Sequence, residues 1–129
     1  MTTPTVSELF LVDSSGWVEY FGEGPHAEVF APYIELEESL LVPTIVLYEV
    51  YKKLLRERGK SLADGFASQA TRRIVVPLDE DLALAAAQAS LDHRLAMADA
   101  VIYATAQARQ AQLVTGDLHF RGLPGVIIP

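Results

Sequence analysis

The chain has 129 residues, half of them apolar, with a formal charge of −7 and no cysteine. That length fits a single domain spanning residues 1–129, and the apolar content excludes intrinsic disorder. The missing cysteine excludes disulfides, thiolate catalysis and cysteine-ligated zinc. The acidic balance argues against a non-specific nucleic-acid coat while leaving room for a local basic patch. Met1-Thr2-Thr3-Pro4-Thr5 lacks a basic region followed by an apolar core, so it does not read as a signal peptide. No apolar run is long enough to cross a bilayer. A cytoplasmic protein without a membrane partner is the expectation.

Short β-rich runs alternate with longer helical ones, the pattern of a parallel sheet covered by helices. The first strand is expected over about Leu9–Val12, followed by a short helix after Ser14-Ser15 that Gly22 and Gly24-Pro25 break. Residues 26–39 have a helical pattern, with a start or kink near Pro32. Leu40-Leu41-Val42 reads as a buried strand stopped by Pro43, and Thr44 as the N-cap of a helix reaching about Arg58, where Gly59 ends it. A helix over 62–71 precedes the strand Ile74-Val75-Val76. Asp79 caps the next helix, and Glu80 and Asp81 suit its positive end. That helix carries Leu82, Ala85, Ala86 and Ala89 on one stripe, small enough for close packing. A further helix covers about 98–110, and Leu113-Val114-Thr115 and Val126-Ile127-Ile128 form the last two strands.

Four acids stand out against this pattern. Asp13 ends an apolar run, Glu49 and Asp99 interrupt apolar helical stretches, and Asp117 follows a strand. Each has an ordinary explanation: a helix cap for Asp13, a dipole partner for Asp99, a turn residue for Asp117, and an ion pair with Lys53 for Glu49. Carboxylates are nevertheless rarely placed in apolar surroundings unless paired or bound to a metal. If the four converge, they form an anionic cluster that cannot stay fully ionised without a cation. Hard oxygen donors without cysteine or paired histidines suit Mg²⁺ or Mn²⁺ rather than zinc. Phosphoryl transfer is the chemistry such a site supports.

Four segments then carry a resemblance. Val-Asp-Ser-Ser-Gly-Trp-Val-Glu-Tyr at 12–20, Val-Pro-Thr-Ile-Val-Leu-Tyr-Glu-Val at 42–50, Ala-Asp-Ala-Val-Ile-Tyr-Ala-Thr-Ala at 98–106 and Leu-Val-Thr-Gly-Asp-Leu-His-Phe at 113–120 resemble, in order, the acidic motifs of PIN-domain ribonucleases. Size and the lack of further domains point to the VapC-type toxins of type II toxin–antitoxin pairs. The resemblance implies a three-layer α/β/α domain with a parallel sheet of about five strands in the order 3-2-1-4-5. It implies that Asp13, Glu49, Asp99 and Asp117 bind the metal and are catalytic, with Ser15 and Thr115 supporting them by hydrogen bonds. It also implies RNA as substrate, a homodimer, and a small antitoxin whose tail blocks the acidic groove with a basic side chain. The chain departs from some members at Met97, where they carry an additional acid; this weighs against tight binding of a second metal.

Lys52, Lys53, Arg56 and Lys60 continue the Glu49 face and offer a ramp for RNA phosphates, or simply a solvated surface. Trp17, Tyr20 and Phe21 are core, a partner groove, or a stacking platform for a base. His119, two residues after Asp117, is either a plain loop histidine or a group that touches substrate or water. A receiver domain would need a late lysine, but every lysine lies between Lys52 and Lys60. A haloacid-type phosphatase would need an Asp where Ser15 stands, and no glycine-rich phosphate loop is present. The remaining rival is a PIN-like module that binds protein or RNA without turnover.

Overall fold

The computed structural model describes residues 8–129. The opening segment read above for targeting signals lies outside them. Five strands form one parallel sheet: β1 (Phe10–Val12), β2 (Leu40–Pro43), β3 (Ile74–Val76), β4 (Gln112–Val114) and β5 (Val126–Ile127), in the order β3-β2-β1-β4-β5. Six helices complete the three-layer fold: α1 (Ser14–Phe21), α2 (Ala27–Ile34), α3 (Thr44–Arg58), α4 (Lys60–Ala70), α5 (Glu80–His93) and α6 (Met97–Ala108). Leu11, Val12, Leu41, Val42, Leu113 and Val114 are wholly buried, as expected of strands covered on both faces. Consecutive helices pack as pairs, α1 with α2, α3 with α4, and α5 with α6.

The order of the strands decides where a site can form. From β1 the chain moves outward on one side to β2 and β3, then returns to place β4 on the other side of β1. The crevice beyond the carboxyl ends of β1 and β4 is therefore the topological switch point of the sheet. Asp13 leaves β1 there, and Thr115-Gly116-Asp117 leaves β4 there. The β1–β4 ladder runs to its last rung, with the Asp13 N–H donating to the Val114 carbonyl at 3.1 Å.

Several boundaries differ from the sequence expectation. The helical pattern of residues 26–39 divides into α2 and a separate 3₁₀ turn at Glu37–Ser39. Pro32 sits inside α2, and the chain leaves helical geometry at Leu36 (φ −85°, ψ 71°). Pro43, in extended geometry, is the N-cap of α3, and Thr44 is already helical and makes no capping bond. Gly59 at φ 97° is the sole residue between α3 and α4, a conformation that side chains resist, so α4 starts at once. Lys60 consequently belongs to α4 rather than to the Glu49 helix. On α5, Leu82 and Ala86 are buried while Ala85 is exposed, so the small-residue stripe is narrower than its spacing suggested. Trp17 is fully buried against Phe66 and Phe21, at ring distances of 5.4 and 6.0 Å, which assigns it to the core and not to base stacking.

Candidate metal centre

Asp13 lies at the bottom of the crevice, 4% exposed. The helix cap that the sequence offered as its ordinary explanation is realised. As N-cap of α1, its Oδ1 accepts the Gly16 N–H at 3.1 Å. The same oxygen accepts the Ser15 hydroxyl at 2.8 Å, and Oδ2 accepts the Thr115 hydroxyl at 2.6 Å. Three donors orient a buried carboxylate, yet burial still outweighs them and pushes its pKa above the usual carboxylate value.

Thr115 is itself wholly buried and links two acids, because its Oγ1 also accepts the Asp117 N–H at 2.9 Å. Asp117 caps the 3₁₀ turn Leu118–Phe120, with Oδ1 accepting the His119 N–H at 2.9 Å. The buried Phe120 side chain anchors that turn. His119 is thereby held beside the acid that caps it, its Nδ1 3.0 Å from Asp117 Oδ1.

Glu49 comes from the second turn of α3, half-buried. Its Oε1 accepts the Ser14 hydroxyl at 2.6 Å. The Lys53 partner considered for it from the sequence pairs instead with Glu57 at 3.2 Å. Asp99 stands in the first turn of α6, whose neighbouring residues Ile102, Tyr103 and Ala106 are buried. Its pKa is raised, first by burial, then by the charges of Asp117, Glu49 and Asp13, with His119 opposing. All four acids thus share one electrostatic neighbourhood.

Their side chains do not converge equally. Among the described residues, Asp99, Asp117 and His119 form a group whose ligand atoms all lie within 4.8 Å of one another. Asp13 and Glu49 flank that group, each tied to hydroxyls. The donor set is oxygen-rich and fits a hard divalent cation, with one nitrogen at its edge. Beside it opens a cavity of about 690 Å³, whose lining includes Ser14, Ser15, Glu49 and Asp117 together with Val29 and Phe30. Lys53 reaches this cavity, whereas Arg56 shares Glu57 with it and Lys52 lies over the exposed Tyr48 ring, 5.4 Å from its centroid. The basic residues therefore do not form one uninterrupted ramp; Lys60 pairs with Asp64 on the next helix.

Ser14 and the Gly16 N–H add to what the sequence singled out, and His119, weighed there as a loop residue or a group that touches substrate or water, lies beside Asp117. The Ser14-Ser15 doublet held the first of these signals, since each hydroxyl serves a different acid. The role of Gly16 rests on backbone geometry, which no residue type advertises.

The PIN domain family model matches residues 10–126, and the chain belongs to that family. No curated protein matches it significantly. Its fold is similar to a chain of a toxin–antitoxin complex from Klebsiella pneumoniae, with TM-score 0.80 and 21% identity over 93% of this chain and 97% of that one. It is also similar to VapC20 of Mycobacterium tuberculosis, a toxin that cleaves the sarcin–ricin loop, with TM-score 0.76 and 19% identity over 92% and 98% of the two chains. A third likeness is to VapBC2 from Rickettsia felis bound to a promoter DNA fragment, with TM-score 0.74 and 16% identity over 94% and 97%.

Proposed function

We propose that the chain is a divalent-cation-dependent endoribonuclease and the toxin of a type II toxin–antitoxin pair. The observation that carries this reading is the gathering of four carboxylates from separate elements at the switch point of a PIN sheet, two of them with raised pKa values. Crowding of that kind costs stability unless a cation offsets it.

Asp13, Glu49, Asp99 and Asp117 would hold the ion, Mg²⁺ or Mn²⁺, with Ser15 and Thr115 in support. When bound, such an ion supplies an activated water and neutralises charge developing on the phosphate. The chain's own part is orientation. Ser15, Gly16 and Thr115 fix both oxygens of Asp13, leaving little rotational freedom. Ser14 holds Glu49, and the turn after β4 holds Asp117. Preorganised carboxylates of this type need not rearrange during reaction. Lys53, and more weakly Lys52 and Arg56, would meet RNA phosphates flanking the scissile one.

The toxin–antitoxin complexes among the structural relatives support a small antitoxin as partner. The cavity beside the acids suits its tail, since Glu19, Glu49 and Asp117 would attract a basic side chain while Val29 and Phe30 take an apolar one. We read the protein as a cytoplasmic homodimer; no helix among the described residues is long and apolar enough to cross a membrane. The test is cleavage of RNA by the purified chain with Mg²⁺ or Mn²⁺ and with excess chelator. Metal-dependent cleavage is expected; undiminished cleavage in chelator would reject the mechanism.

A further inference from the structure

We propose that His119 is a nitrogen ligand of the cation site, and that it tilts the site toward Mn²⁺ over Mg²⁺. This rests on the metal reading above and adds to it a residue and a selectivity.

The geometry points to it in three ways. First, His119 replaces Asp13 and Glu49 in the tightest group of potential ligand atoms, with Asp99 and Asp117 inside 4.8 Å. Second, Nδ1 of His119 and Oδ1 of Asp117 are 3.0 Å apart. Adjacent ligands of an octahedral ion with bonds of about 2.1 Å lie about 3.0 Å apart, so the pair already has the spacing of one coordination edge. Third, the fold fixes the backbone that carries the imidazole beside Asp117. Buried Phe120 pins the turn, and the His119 N–H holds the same Oδ1 at 2.9 Å. The imidazole is otherwise exposed, its side chain 81% accessible, so swinging Nδ1 onto an ion displaces no packing.

Chemistry gives the selectivity. Mg²⁺ takes oxygen ligands and parts with its waters reluctantly. Imidazole suits first-row transition ions, and Mn²⁺ accepts carboxylates as well. An imidazole added to the carboxylates of this site therefore favours Mn²⁺ over Mg²⁺. With a cation between His119 and Asp117, the ring proton resides on Nε2 and Nδ1 presents its lone pair to the ion.

The test uses the full chain and Mn²⁺ alone, without RNA. Electron spin-echo modulation of Mn²⁺-loaded protein reports nitrogen bound to the ion. The expected result is a nitrogen signal in the wild type that His119→Gln removes and that His26→Gln and His93→Gln preserve. The ratio of Mn²⁺ to Mg²⁺ affinity, from titration, should fall at least about tenfold in His119→Gln. Mn²⁺ bound without a nitrogen signal, or with one that survives His119→Gln, overturns the proposal while leaving the oxygen site standing. Absence of any Mn²⁺ binding to the wild type overturns both it and the metal reading.

Discussion

At the residue scale, the two acids with raised pKa values are not equivalent. Asp99 has no hydrogen-bond donor among the described contacts, whereas Asp13 has three. Asp99→Asn removes repulsion and leaves no hydroxyl without an acceptor, so it is expected to stabilise the metal-free protein. Asp13→Asn relieves a buried charge, but its amide cannot accept the Thr115 proton, so the two effects oppose and the net change stays within about 1 kcal/mol. Both variants should lose RNA cleavage by more than about 100-fold, beyond what losing an outer-shell partner costs. Thermal melts without metal and cleavage rates with it check both halves; full activity in either would remove that residue from the site. The pH dependence has a definite sign. A carboxyl whose folded pKa exceeds its unfolded value binds its proton more tightly in the native state, so its contribution is fully present below the unfolded value and is lost as pH rises through the folded one. For Asp13 and Asp99 that window opens near the ordinary value of 3.8 and extends upward. The contribution of these two groups to the metal-free melting temperature should therefore grow as pH falls toward 3.8, and Asp99→Asn should flatten that gain. An unaltered pH slope in the variant contradicts the assignment.

At the element scale, the site depends on how closely α1 starts against the sheet. A Cβ on Gly16 would lie 2.4 Å from Val12 Cγ1 and 2.8 Å from Phe30 Cδ1. Neither partner can yield, since Val12 and Phe30 are core residues. Gly16→Ala should cost about 1–3 kcal/mol by overpacking and should also displace the N–H that orients Asp13. Denaturant unfolding and metal affinity measured together test this; wild-type values for both would show that α1 can shift freely. The alternating pattern of strands and helices was legible because the buried strands are short apolar runs bounded by Pro, Gly and Asp. What escaped was set by tertiary contact. Ser14 points to an acid 35 residues away, and Thr115 to one 102 residues away, distances at which residue type alone says nothing. The break after α2 and the one-residue joint at Gly59 are backbone events that periodicity does not register.

At the scale of the whole molecule, topology converts four separated motifs into one site. Asp13 and Asp117 lie more than a hundred positions apart in the chain, yet both leave neighbouring parallel strands at the same edge. The four acids could be picked out by their apolar surroundings, while the inclusion of His119 required the turn geometry to be seen. Cation binding to this assembled site should stabilise the native state by mass action, about 2.7 kcal/mol at a hundredfold excess over Kd, and chelator should reverse it. Melting curves that Mn²⁺ and Mg²⁺ leave unmoved would contradict the cation site. The basic residues make a separate prediction. Lys53→Gln should weaken RNA binding and lower its salt dependence by about one counterion, more than Lys52→Gln, since Lys53 alone of Lys52, Lys53 and Arg56 lines the cavity beside the acids. Equal effects of the two substitutions would return the face to general electrostatics. The central claim is turnover, as opposed to binding alone. The most direct measurement is single-turnover RNA cleavage by wild type and Asp99→Asn with Mn²⁺, at RNA occupancy measured to be equal in both. Cleavage by the wild type and only bound, intact RNA with the variant is the predicted result. Intact RNA with both proteins would make the chain a PIN-fold binding module, and equal cleavage by both would place the chemistry elsewhere.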